Sequence, residues 1–181
     1  MADYEASNTP RLKVLQTGPR GTHHMVFRFG LATSVANMVS QARTVTSAML
    51  GLCLNGTTWE SAELAPEGSE VFLPVAWGAA QVKTGGTDVA VGDEYGRYVN
   101  FVGRSTGGSR VAFYVFNVVR DSGTANNRLT QAESADVTAV LAALAAGGTN
   151  FAAIDQNPFV MKAYANSGIN DAVAKKSRSL A

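Results

Sequence analysis

Charged residues are scarce in this 181-residue chain. They make up 16% of the sequence, against about 25% in an ordinary soluble domain. So few charges leave little with which to cover an isolated surface, and we expect other subunits to cover part of it. The formal net charge is +1, which excludes a bulk field that would draw the chain to nucleic acid or to an anionic membrane.

Cysteine and histidine are almost absent. Cys53 is the only cysteine, so no internal disulfide can form, and its apolar neighbours predict a buried, unreactive thiol. The only histidines, His23 and His24, are adjacent in a predicted strand and therefore lie on opposite faces, where they cannot readily share a metal ion. We expect one to be half-buried and the other solvated. The sequence predicts no metal, no cofactor and no small-molecule substrate.

Long apolar runs are also missing. None approaches the roughly 20 residues that span a bilayer, and residues 1–13 lack the apolar segment of a signal peptide. We therefore expect a protein that is made in a cytoplasm and has no membrane partner. The length is typical of a single domain, predicted here as 1–181, with a flexible N-terminus at 1–9 and an extended or partner-clasping tail at 150–181.

Alternating apolar and polar residues predict strands in the first half of the chain. Residues 11–17 and 22–31 alternate around a Gly-Pro turn and predict a hairpin. Residues 57–64 and 70–78 also read as strands, and Pro74 places the second of these at a sheet edge or interrupts it. Two tryptophans near these strands, Trp59 and Trp77, are expected to be core or interface anchors.

Residues 33–54 have a different period. Their apolar residues recur every three or four positions, and Ser34 is available as an N-cap, so we predict a helix. Several β-branched residues in this segment leave open a helix followed by a strand, with the break near Gly51.

The stretch GRSTGGSR (103–110) separates two segments rich in Val, Phe and Tyr. A phosphate-binding glycine loop leads from a strand into a helix, but here a strand enters and a strand leaves, and the lysine of such loops is missing. The stretch is therefore predicted to be a hairpin turn within 98–119. A five-residue loop would pair Arg104 with Arg110. A four-residue loop would instead place the other face of the second strand beside Tyr98, Asn100 and Arg104.

Under the five-residue loop, arginines and aromatic rings share one face of the hairpin. We call it the Arg/Tyr face, and its members are Tyr98, Asn100, Arg104, Arg110 and Tyr114. Such a combination can hold single-stranded nucleic acid by stacking and phosphate contacts. The alternative, that these arginines pair with Asp or Glu across a subunit contact, stays open.

The clearest helix signal lies at 130–146. Thr130 and Glu133 have the spacing of a capping box, and two glycines follow the segment. An apolar stripe on this helix and anchors in the tail are expected to pack against a second subunit; they are Val137, Val140, Leu141, Leu144, Phe151, Phe159 and Tyr164. The predicted fold class is α+β: an antiparallel sheet of hairpins with one or two helices packed on it or interlocked with a partner.

Two long strands, a loop, a capped helix and a tail containing YANSGIN resemble the coat proteins of single-stranded RNA phages. The resemblance implies an antiparallel sheet that faces the particle interior, helices that interlock in a homodimer, and a location in the virion. It also implies genome contacts through the Arg/Tyr face. The helix at 33–54 departs from the family, which has strands there. A decoration or tail protein of a tailed phage and a nucleic-acid-binding module are the alternatives, and a small enzyme is the least expected.

Overall fold

The computed structural model of the chain describes residues 9–19, 21–30, 33–85, 98–104, 110–118, 131–146, 160–165 and 178–179. Within these ranges, nine strands form two antiparallel sheets, and two helices pack with them around a shared hydrophobic core. This is the α+β class that the sequence predicts. Neither helix in these ranges is long and apolar enough to cross a membrane.

The first sheet is built from five strands: β1 (Arg11–Gly18), β2 (Gly21–Arg28), β3 (Thr58–Ala65), β4 (Leu73–Val75) and β5 (Gln81–Val82). Their order is β2-β1-β3-β4, and β5 pairs with another part of β3. β1 and β2 form the predicted hairpin, in which Gly18 lies opposite Gly21. Of the strand predicted at 70–78, only 73–75 joins the ladder, and Pro74 lies at the sheet edge as expected.

One helix covers the apolar side of the first sheet. Because side chains alternate between the two faces of a strand, every second residue of β1 and β2 points to this side. Leu12, Val14, Met25 and Phe27 are buried there. The helix, α1 (Val35–Leu50), buries Met38, Ala42, Val45 and Met49 at three- and four-residue spacing. Ser34 is its N-cap, as predicted, because its hydroxyl oxygen accepts a hydrogen bond from the Asn37 N–H.

α1 ends at Leu50, four residues before the predicted end at 54. The β-branched Thr46 is accommodated because its hydroxyl donates to the Ala42 carbonyl at 2.9 Å. The chain leaves α1 through a turn at Gly51 and Leu52. Cys53 then forms a single β-bridge with Val118, and the Leu54 N–H donates to the Asn117 carbonyl. The predicted break of the helix near Gly51 is confirmed, but a turn and a single β-bridge follow it, and the next strand begins only at Thr58.

The second sheet has four strands: β6 (Tyr98–Arg104), β7 (Arg110–Phe116), β8 (Val160–Ala165) and β9 (Arg178–Ser179). They lie in the order β7-β6-β8-β9. β8 and β9 come from the predicted tail at 150–181. These parts of the tail therefore belong to the sheet of their own chain.

The second helix, α2 (Gln131–Ala146), packs in the same core. Val140 and Leu144, predicted at an oligomer interface, are fully buried by the rest of this chain, and Leu141 packs beside them. Their apolar stripe is therefore covered without a second subunit, because β8 and α1 pack against α2. Trp59 and Trp77, predicted as core or interface anchors, are buried in the core of this chain.

Polar side chains join the two sheets at one corner. The Gln16 side-chain amide donates to the Phe116 carbonyl at 3.1 Å, and the Asn117 amide donates to Gln16 and to the Gly21 carbonyl. Gln16 and Asn117 are 1% and 0% exposed. Buried polar groups that satisfy one another hold a specific geometry, because breaking one bond leaves its partner buried and unpaired.

Candidate nucleic-acid interface

The register of the β6–β7 hairpin brings the predicted residues together. Arg104 lies opposite Arg110, and Asn100 lies opposite Tyr114. This register leaves five residues, 105–109, outside the ladder, and it is the first of the two that the sequence left open. Since side chains alternate along a strand, all five members of the Arg/Tyr face occupy positions on one face of the hairpin.

The opposite face of the hairpin belongs to the core. Phe101 and Val115 alternate with members of the Arg/Tyr face and are both 0% exposed. The second sheet therefore buries these apolar side chains on one face. The Arg/Tyr face lies on the other side, away from these two core residues.

β8 extends the Arg/Tyr face with two residues that sequence reasoning did not place there. Lys162 lies opposite Val102, and Tyr164 lies opposite Asn100, so both occupy positions on the same face. The sequence offered no signal for this, because β8 and β6 are about 60 residues apart and the tail has no clean period. Tyr164 had been predicted at an oligomer interface.

The cationic residues and the tyrosines of these three strands take positions on one face. β6, β7 and β8 contain three cationic residues, Arg104, Arg110 and Lys162, and no Asp or Glu. All three cations take positions on the Arg/Tyr face, and so do all three tyrosines of these strands, Tyr98, Tyr114 and Tyr164.

Two cations of the first sheet have carboxylate partners. Lys13 forms an ion pair with Glu63, and Arg11 forms one with Glu70 at 3.3 Å. A carboxylate therefore accompanies each of these cations, whereas strands β6–β8 supply none. Cationic residues that share a sheet face with tyrosines are suited to a polyanion with flat bases, such as single-stranded nucleic acid.

Tyr114, Asn100 and Tyr164 form a row across three neighbouring strands. Neighbouring strands are about 4.8 Å apart, so the two tyrosine positions lie about 10 Å apart across the row. Arg104 and Arg110 form a second, parallel row toward the hairpin loop. Bases could stack at the first row while phosphates contact the second.

The two histidines occupy different environments, as predicted. The half-buried His23 ring stacks on Phe116 with centroids 3.9 Å apart, whereas His24 is exposed. Among the described residues, no group of three His, Cys, Asp or Glu side chains could hold a metal ion.

Cys53 is fully buried, as the sequence indicates, and its thiol donates to the Met49 carbonyl at 3.2 Å. Burial raises the pKa of this thiol from 9.0 to about 12, against a smaller opposing effect of the Lys83 charge. The neutral thiol is therefore the only form at physiological pH, and Cys53 is not suited to nucleophilic or redox chemistry.

A shallow surface depression of about 620 Å³ lies beside α1 and β5. Its lining contains one ionisable side chain, Arg43, and small or polar neighbours such as Ser40, Thr44 and Gln81. The Arg43 guanidinium donates to the carbonyls of Trp77 and Ala79, so it serves the local structure. The lining residues that the structure describes include no acid–base pair.

The predicted interface role of three further residues is untested. Phe151 and Phe159 fall outside the described residues, and only the backbone of Val137 is described. Their role at an interface stays a prediction.

No protein-family model, no curated protein and no solved structure matches this chain.

Proposed function

We propose that this chain is a coat protein that assembles with copies of itself into a virion shell and contacts the genome through the Arg/Tyr face. The observation that carries the proposal is the placement of all cationic residues and tyrosines of β6–β8 on one face. Three cationic residues, three tyrosines and no carboxylate occupy these strands, with the cations and tyrosines all positioned on the side away from Phe101 and Val115.

The surface of the first sheet supports the self-assembly part of the proposal. Val71 and Leu73, beside and within the short edge strand β4, are 62% and 58% exposed, and Val82 in β5 is 48% exposed. Together with a charged fraction of 16%, these apolar residues make a surface that benefits from being covered. Copies of the same chain are the partner that a shell supplies in the highest local concentration.

The overall likeness to single-stranded RNA phage coat proteins contributes less. α1 occupies a segment where that family has strands, and β8 comes from the tail. The proposal therefore depends on the Arg/Tyr face and on the uncovered apolar surface.

The direct test is to purify the expressed protein, determine its size, view it by negative-stain microscopy and record its absorbance ratio at 260 and 280 nm. We expect regular particles or tubes that carry nucleic acid. A small monodisperse monomer without nucleic acid would contradict the proposal, and a monomer that still binds nucleic acid would favour a binding module.

The genome contact is tested by Arg104→Ala combined with Arg110→Ala. Each cation that contacts a phosphate contributes about 0.7 to the slope of log affinity against log salt for a single strand, so the double variant should lose about 1.4 of that slope. The matched control is Lys13→Ala with Arg28→Ala, which removes two cations from the first sheet. Equal losses in both double variants would mean that the contact depends on net charge alone.

A further inference from the structure

The outer edge of β2 is the longest open strand edge of the first sheet. β2 spans eight residues and ends the strand order, with β1 on one side and no strand on the other among the described residues. Gly21–Arg28 contains no proline and no lysine, the residues that commonly protect such an edge. The opposite edge is short and is protected by Pro74 in β4.

The direction of the β2 backbone groups follows from one hydrogen bond. The Phe29 N–H, just beyond the strand, donates to the Pro10 carbonyl beside β1. In an antiparallel ladder, alternate residues direct their N–H and C=O groups to the same side, so the odd-numbered residues of β2 face β1. The even-numbered residues direct theirs to the open edge; they are Thr22, His24, Val26 and Arg28.

These outward groups are accessible. In the described ladder their main-chain groups have no partner on the open side. The side chains of Thr22, His24 and Val26 are exposed, and Val26 retains 41% of its surface. An unpaired edge of this length is a template for another strand.

We propose that β2 pairs antiparallel with β2 of a second copy, around a two-fold axis at Met25. The inference rests on the proposed self-assembly and names the strand that performs one of its contacts. A two-fold axis perpendicular to the sheet keeps each face continuous across both copies, so even-numbered residues must lie opposite even-numbered residues.

Of the registers that meet this condition, the one centred on Met25 uses all four outward residues. It places Thr22 opposite Arg28 of the second copy and His24 opposite Val26. Four such pairs would exchange about eight backbone hydrogen bonds. Shifting the register by one pair in one direction leaves Arg28 of each copy unpaired within β2. Shifting it in the other direction leaves Thr22 unpaired and brings His24 opposite Arg28.

The charge pattern permits this pairing. Arg28 is the only Lys, Arg, Asp or Glu in β2, and in the central register it faces a threonine. No like charges therefore oppose each other across the seam. A single strand pair buries less than the roughly 1,200 Å² of a standard stable interface, so we expect dimers that dissociate on dilution unless other contacts support them.

The first test is Val26→Pro, measured by sedimentation velocity over a range of protein concentrations. Proline removes an N–H that points away from β1, so the hairpin is retained while the seam is blocked. We expect dimerisation to weaken about tenfold or more. The matched control is Val82→Pro at the other edge, where the Lys83 N–H donates to the Thr57 carbonyl and the neighbouring Val82 N–H therefore faces outward. Circular dichroism checks that both variants are folded.

The second test maps the register by oxidative crosslinking. The double variant His24→Cys with Val26→Cys should form covalent dimers, because positions 24 and 26 face each other within disulfide reach. Either single variant should crosslink much less, since each position lies diagonally from the same position in the second copy. Cys53 is fully buried and serves as the parent background.

The outcomes separate this inference from the proposed function. If the wild-type chain forms particles and Val26→Pro forms them equally well, with no crosslink in the double variant, the seam is overturned and the coat function stands. If crosslinks form most efficiently in a single variant, the register centred on Met25 is overturned. If the wild-type chain neither dimerises nor assembles, both proposals fail.

Discussion

The side-chain amide of Asn117 donates a hydrogen bond of 3.1 Å to the side-chain oxygen of Gln16, across 101 positions of the chain. Gln16 in turn donates to the Phe116 carbonyl, so the pair ties β1 of the first sheet to the end of β7 in the second. Asn117 has a φ of 54°, a left-handed conformation that asparagine tolerates better than most residues. This corner is where the orientation of the two sheets is held.

Gln16→Ala and Asn117→Ala should each lower the free energy of unfolding by about 1–3 kcal/mol, because each leaves a buried polar group without its partner. The double variant should cost less than the sum, by about 1 kcal/mol, since the second change removes the group that the first orphaned. Chemical denaturation of the four proteins measures this coupling. The control combines Gln16→Ala with Thr44→Ala at an exposed position of α1, and these two effects should add.

Gly18→Ala should destabilise the same corner. A Cβ at this position would lie 2.5 Å from the Asn117 Cγ, and the Asn117 side chain is held by two hydrogen bonds and cannot easily retreat. We expect a loss of about 2 kcal/mol in thermal or denaturant unfolding. In an Asn117→Gly background the added methyl group no longer meets the Asn117 side chain, and the cost should largely disappear. A similar cost in both backgrounds would contradict this explanation.

The parts of the fold that follow from the sequence are those set by neighbouring residues. Alternation and a Gly-Pro turn predict the β1–β2 hairpin, and apolar spacing after Ser34 predicts α1. Both signals are contained within about 20 residues. The five-residue loop at 105–109 was one of two possibilities because loop length decides register, and composition does not indicate loop length.

The sequence does not predict which distant strands pair with each other. β8 joins β6 across about 60 residues, and nothing in its sequence indicates which strand it will meet or in what register. For this reason Lys162 and Tyr164 were missed as members of the Arg/Tyr face. The stripe of Val140 and Leu144 was assigned to a partner subunit for a related reason, because an apolar stripe has the same pattern whether its own chain or another covers it.

Arg43→Ala should loosen the segment that follows Trp77. The Arg43 guanidinium donates to the Trp77 and Ala79 carbonyls at 2.7 and 2.9 Å and lies 5.2 Å from the centre of the Trp77 ring. Hydrogen bonds from a charged group contribute about 1.5–3 kcal/mol, so unfolding should be easier by about that amount. Arg28→Ala, which removes a cation from a strand edge, should change stability by less than about 0.5 kcal/mol in dilute protein. Equal effects would mean that Arg43 acts only through its charge.

Lys162→Ala should weaken binding to a single-stranded oligonucleotide and lower its salt slope by about 0.7, if β8 completes the Arg/Tyr face as its register indicates. Lys13→Ala, which removes an equal charge from the first sheet, should leave the slope unchanged. Tyr164→Ala should weaken binding without changing the slope, because stacking releases no counterions. An unchanged slope in Lys162→Ala beside a lowered slope in Arg104→Ala would exclude Lys162 from the interface.

Stability at alkaline pH should depend on Cys53. Its pKa is about 12 in the folded chain and near 9.0 when exposed, so the unfolded chain loses this proton first as the pH rises. The stabilisation is fully present below pH 9 and declines between pH 9 and 12, by about 1.4 kcal/mol per pH unit. Cys53→Ala removes this dependence while leaving lysine and tyrosine titrations unchanged. Denaturant unfolding at pH 8 and pH 10.5 should therefore show a larger decline in the parent chain than in Cys53→Ala, and parallel declines would mean that the thiol is solvated in the folded state.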